Sequence, residues 1–129
     1  MFFDHFTETQ LASWPLARTN YERLKNVVYR TIDFDGFQIR VQYNPDRILS
    51  AVAKIDEQSI KARACFLCKE NMPSEQLSFD YNPTLDIRVN PYPIFDHHYT
   101  VPAKQHIPQL IEGHFNDMLT IVQTYPEYT

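Results

Sequence analysis

A chain of 129 residues with 43% hydrophobic content is one domain's worth of material, enough to bury a modest core and too little for a second full domain. A formal net charge of -4, a pI near 5.7 and the lack of any extended Lys/Arg run leave no footprint for a nucleic-acid backbone, so polymeric nucleic acid is not an expected partner. No apolar stretch approaches the roughly 20 residues that span a bilayer, and Met1-Phe2-Phe3-Asp4-His5 lacks the basic start and apolar run of a signal peptide, which predicts a cytoplasmic protein with no membrane partner.

Leu11, Trp14, Leu16, Tyr21 and Leu24 recur at roughly helical spacing, interrupted by Pro15, and predict one or two short helices that cover the core. Val27 to Ile32 and Phe37 to Tyr43 are β-branched and aromatic, with Asp33-Phe34-Asp35-Gly36 between them, and read as a hairpin. Asn44-Pro45-Asp46 stops the second strand, and Arg47 to Lys54 reads as a single helical turn or a loop. After a Cys-x-x-C pair, Asn71-Met72-Pro73-Ser74 is turn chemistry, and Phe79 to Tyr81 is a short edge strand before Asn82-Pro83. Leu85-Asp86-Ile87-Arg88-Val89 alternates apolar with charged, as a half-buried strand does, and ends at Asn90-Pro91-Tyr92-Pro93. His98 to Val101 makes the next strand. The last helix opens at Pro108, carries Leu110, Ile111, Phe115, Met118, Leu119 and Val122 at helical intervals, and ends by Pro126. Helix, hairpin, knuckle, antiparallel strands and helix in that order predict an α+β fold with a mainly antiparallel sheet and flanking helices, one domain over residues 1–129.

With only Gly36 and Gly113, neither a Walker loop nor a dinucleotide-binding glycine fingerprint is present. The chemistry concentrates instead on Cys65 and Cys68, the two cysteines of the chain. Two thiolates separated by two residues can turn both sulfurs toward one zinc ion at about 2.3 Å. A redox pair and inert buried thiols are the other readings; no βαβ context favours the redox one. A metal needs a third ligand, and His106 is the leading candidate, with His97, His98 and His114 competing. His97 and His98 are adjacent, so in a strand they point to opposite faces. His114, on a helix beside Phe115, reads first as a packing residue.

Cys65-Phe66-Leu67-Cys68, followed by Val89-Asn90-Pro91-Tyr92-Pro93-Ile94-Phe95-Asp96-His97-His98-Tyr99-Thr100-Val101-Pro102 and Lys104-Gln105-His106-Ile107-Pro108, resembles the first half of histidine-triad proteins. The run is similar, more closely, to the galactose-1-phosphate uridylyltransferase-like branch that includes GDP-galactose phosphorylase and diadenosine tetraphosphate phosphorylase. Asn44-Pro45-x-Arg47, Ser50, Lys54, Ser59-Ile60 and Arg63 add to that likeness, which covers roughly residues 20 to 125 and is most specific from 63 to 108.

The resemblance implies half of a histidine-triad-like barrel in which Cys65, Cys68 and His106 hold a structural zinc ion. It implies that Asn90 lies against a nucleotide ribose, that Ile94 and Phe95 border the base, and that Arg47 and Lys54 meet phosphate. Those two cations read equally as solvated surface charge. Family enzymes act through a His-x-His-x-His or His-x-His-x-Gln strand whose middle imidazole attacks the α-phosphorus. No His-x-His occurs in this sequence, and in uridylyltransferase-like enzymes the first histidine of that strand is the fourth zinc ligand.

The expectation is therefore an N-terminal fragment of a nucleotidyltransferase or phosphorylase acting on nucleoside diphosphate sugars or dinucleoside polyphosphates, with no catalytic residue in this chain and no activity alone. The fourth zinc position would fall to water or to a group outside the chain, and a homodimer would cover an exposed sheet edge. The alternatives are a non-catalytic zinc-knuckle module that binds a nucleotide or a protein, and a redox protein.

Overall fold

The computed structural model describes residues 2–47, 54–108 and 110–127. Helix α1 (Phe2–Ser13) and helix α2 (Pro15–Glu22) are almost continuous, with Trp14 extended between them. Pro15 takes the first position of α2, where a missing N–H costs nothing. The buried stripe is Phe3, Thr7, Gln10, Trp14 and Ala17, a spacing of alternating fours and threes that runs straight across the proline. Of the apolar residues that predicted these helices, Trp14 is buried, Leu11, Tyr21 and Leu24 are half-buried and Leu16 is exposed. Polar side chains take their place because each finds a partner. Thr7 Oγ1 lies 2.6 Å from Tyr99 Oη, and Gln10 donates to the Glu75 carbonyl at 2.8 Å while accepting from Leu77 N–H at 2.5 Å.

A 3-10 turn (Arg23–Asn26) leads into the predicted hairpin, β1 (Val28–Phe34) and β2 (Phe37–Tyr43). The strands pair antiparallel from Val28–Tyr43 to Phe34–Phe37, and Gly36 takes φ +83° in the two-residue connection, a region where a side chain is strained. Pro45–Arg47 forms a further 3-10 turn. Of the turn or loop expected from Arg47 to Lys54, residues 48–53, with Ser50 among them, lie outside the described residues.

Helix α3 (Glu57–Ala62) went unread in the sequence. Asp56 caps it, accepting from Ser59 N–H at 2.9 Å, the ordinary signature of a short polar helix start.

The central sheet is antiparallel in the order β3 (Phe79–Asp80), β4 (Asp86–Val89), β5 (Tyr99–Thr100). Asn82 Oδ1 accepts from the N–H groups of Thr84 and Leu85 at 2.9 and 2.8 Å, which turns the chain into β4. Beyond β5 the pairing continues as a bridge, Leu85 with Ala103, closed by Asp86 N–H to the Pro102 carbonyl and Lys104 N–H to the Thr84 carbonyl. These helices with two antiparallel sheets make an α+β fold, as expected.

β4 corrects one expectation: it is buried on both faces, charged residues included. Ile87 pairs with Phe79 and Val89 with Tyr99, so these four share a face, and Phe3 of α1 packs there with ring centroids 6.4 Å from Phe79 and 5.0 Å from Tyr99. The opposite face carries Asp86 and Arg88, covered by the cysteine knuckle.

The last helix, α4, spans Phe115–Thr124, seven residues later than predicted from Pro108. Gly113 at φ +84° breaks the run, because a left-handed residue cannot sit inside a helix. Leu110 and Ile111 are therefore exposed loop residues.

Candidate metal centre

The knuckle is built by local hydrogen bonds. Cys68 N–H donates to the Cys65 carbonyl at 3.1 Å and Asn71 N–H to the Cys68 carbonyl at 3.0 Å, while Asn71 Nδ2 donates to the same Cys65 carbonyl at 2.9 Å. A 3-10 turn over Lys69–Asn71 follows. This tight path brings both sulfurs to one side.

Arg88 docks the knuckle on the sheet. It is 2% exposed, and its guanidinium donates to the Leu67 carbonyl at 2.8 Å, to Ser78 Oγ at 3.1 Å and to the Asp86 carboxylate at 3.2 Å. Lys104 adds ion pairs to Asp80 and, at 3.9 Å, to Asp86. The paired carboxylate and further acceptors offset the desolvation of Arg88. The sequence signal was present: Asp86 and Arg88 stand two apart, on one face of a strand.

The third group arrives by the other route. The stretch from Pro102 to Lys104 zips along the start of β4, so His106 is carried to the knuckle edge. Its Nδ1 lies 3.1 Å from Cys68 Sγ, and the ligand atoms of Cys65, Cys68 and His106 all stand within 4.8 Å of one another. Around a tetrahedral zinc ion, sulfur and nitrogen ligands stand roughly 3.5–4 Å apart, so this cluster is close enough to hold a metal. The two cysteines are half-buried and His106 is exposed. Desolvation and then the neighbouring Cys65 thiol raise the Cys68 pKa, with Arg88 acting in the opposite sense.

The rival histidines stand elsewhere. His97 Nε2 lies 3.7 Å from Asp4 Oδ1, and His114 Nδ1 lies 3.6 Å from Asp117 Oδ2. His98 Nδ1 accepts from Ile94 N–H at 3.3 Å. Neither His97 nor His98 is in a strand, so the opposite-face expectation does not apply. Burial, then the positive charge of Arg47, lowers the His98 pKa.

The loop from Asn90 to His98 gathers most of the residues the resemblance assigned to a nucleotide. Asn90 Oδ1 accepts from Tyr92 N–H at 2.9 Å and its Nδ2 donates to Thr100 Oγ1 at 3.2 Å, so both ends of the amide already hold the loop. Ile94 is half-buried, and its carbonyl accepts from Gln42 Nε2 of β2 at 2.7 Å. Phe95 is exposed and stands edge-on to His98, centroids 6.4 Å apart. A small cleft lined by Asn20, Asn44, Asp46, Arg47, Tyr92 and Pro93 brings Arg47 to the same loop. Asn20 Nδ2 donates to the Pro91 carbonyl at 2.8 Å, and Tyr21 Oη, expected from its helical spacing only to cover the core, donates to the His98 carbonyl at 3.2 Å. Lys54 is exposed and does not line the cleft.

Among the described residues, no helix is long and apolar enough to cross a membrane. Comparison with curated proteins and with solved structures gives no match to the chain. Residues 6–129 match a family described as a domain of unknown function, DUF4922, and the chain belongs to that family.

Proposed function

We propose that the chain is the zinc-stapled half of a cytoplasmic nucleotidyltransferase or phosphorylase, acting on nucleoside diphosphate sugars or dinucleoside polyphosphates. The observation that carries the reading is the convergence of Cys65, Cys68 and His106, separated by 38 residues between the second sulfur and the imidazole, in the order and sequence context that the histidine-triad resemblance requires. Zinc is the metal this donor set suits: two soft thiolates and an imidazole, with one position left for water or a ligand outside these residues. Its role is to tie the knuckle to the segment beyond β5 that carries His106; it supplies folding free energy rather than chemistry.

The nucleotide would lie along the loop from Asn90 to Phe95, with Arg47 placed for a phosphate and Phe95 free to stack on a base. In the reaction this implies, an imidazole nitrogen bonds to the α-phosphorus while the bridging P–O bond breaks and the electron pair leaves on the departing phosphate. An acceptor then reverses the sequence. That imidazole belongs to a His-x-His strand this sequence does not contain, so the chain binds and positions and does not turn over.

The test is nucleotide binding by the zinc-loaded chain, followed by calorimetry with a nucleoside diphosphate sugar and with diadenosine tetraphosphate. Binding that weakens at least tenfold in Arg47→Ala, without any product release, is the expected result. One observation favours a second reading, a zinc-knuckle module that binds protein: both ends of the Asn90 amide are engaged within the fold. Absence of any nucleotide heat with a fully zinc-loaded chain would support that reading and overturn the first.

A further inference from the structure

The hairpin β1–β2 turns its apolar face to water. Residues paired directly across it share a face, so Val28, Arg30, Ile32 and Phe34 lie with Phe37, Ile39, Val41 and Tyr43. Every one of these but Arg30 is apolar or aromatic, and those seven are between 38% and 65% exposed. The other face is polar and satisfies itself: Arg40 stacks on the Tyr29 ring at 3.8 Å, Gln42 Nε2 donates to Tyr29 Oη at 3.0 Å and Gln38 to Asp33 at 2.5 Å. Gln42 also joins that polar face to the Ile94 carbonyl. Both faces of the hairpin are open to water, with Gln42 alone half-buried, so the apolar face has no cover from the rest of the described residues.

At the usual size of such side chains, the exposed apolar surface amounts to roughly 700 Å². That is more than monomers commonly leave open and close to the about 800 Å² that each partner buries in a standard interface. We propose that this face is the contact between two copies of the chain, packed hairpin on hairpin about a two-fold axis. An isologous contact requires a surface complementary to itself, and a nearly uniform apolar ribbon is that surface: two such sheets pack face to face about 10 Å apart. Arg30, the one charge on the face, lies on β1, whose outer edge is unpaired among the described residues, so its long side chain can reach the rim of the contact with its head in water. The apolar stripe of α4, Phe115, Met118, Leu119 and Val122, is also exposed, but it offers four such side chains against the seven of the hairpin and is not assigned to the contact. The inference is independent of the nucleotide reading.

Sedimentation velocity on the zinc-loaded chain at micromolar concentration tests it. The expected result is a species of twice the 15.3 kDa chain mass, converted to the monomer by Ile39→Lys, with zinc content and far-UV circular dichroism unchanged. Met118→Lys on α4 is expected to leave the dimer intact. A wild-type monomer, a dimer that survives Ile39→Lys, or one that dissociates with Met118→Lys would each overturn the proposal. Should Ile39→Lys lose its zinc, Phe37→Ser on the same face is read in its place.

Discussion

Arg88 carries three hydrogen bonds from a strand buried on both faces, and one of them holds the backbone between the two cysteines. Replacing it with methionine keeps much of the volume but leaves Asp86 buried with Lys104, at 3.9 Å, as its one remaining cation among the described residues. We expect a loss of about 3–5 kcal/mol of stability on chemical denaturation and faster release of metal to a chelator, because the Leu67 carbonyl loses its anchor. A variant as stable as wild type would show that the guanidinium is dispensable. Cys65→Ser and His106→Ala act at the centre itself: each should abolish tight zinc binding and cost several kcal/mol, read as a fall in melting temperature of the metal-replete protein. His98 provides a pH signal. Its pKa is lowered in the folded chain, so the unfolded chain takes up the proton first as pH falls. The contribution to stability is whole above the ordinary imidazole value near 6.5 and is lost as pH drops through the lower folded value. An NMR titration of the His98 ring should show a midpoint below 6.5, moving back toward it in Arg47→Ala; a midpoint at or above 6.5 would contradict the geometry.

At the scale of elements, the helices and the sheet are joined through polar groups as much as apolar ones. Gln10 bridges α1 to the loop before β3 through both ends of its amide. Gln10→Leu would leave the Glu75 carbonyl and the Leu77 N–H without their buried partner, a cost of about 1–3 kcal/mol, measured by urea denaturation; no change in midpoint would mean that the loop finds other partners. The same polar stripe explains what sequence reading missed. Thr7 and Gln10 do not look like core, so α1 was legible as a helix but its buried face was not. The strands were legible because alternation and proline stops are local signals. The start of α4 was misread at Pro108, since the apolar intervals ran on through Gly113, whose left-handed φ only the fold displays. For β4, alternation predicted one wet face, and the knuckle that covers Asp86 and Arg88 is set by chain order far from the strand itself.

Across the whole molecule, two distant stretches meet at one place. The local Cys-x-x-C turn was readable in the sequence, and of the four histidines weighed as a third ligand His106 is the one that stands close enough to the two cysteines to hold a metal with them. Its mechanism, a strand continuation zipped along β4, was not readable, because it depends on long-range pairing. The residues proposed to meet a nucleotide converge only in part: Arg47 lines a cleft with Tyr92 and Pro93, while Lys54 does not line it. Metal is therefore the feature on which the account turns. Metal analysis combined with thiol titration of the purified chain tests it most directly. About one zinc per chain is expected, with Cys65 and Cys68 shielded until a chelator is added and no zinc retained in His106→Ala. Freely titrating thiols in a chain that binds no zinc, or full zinc retention without His106, would contradict it.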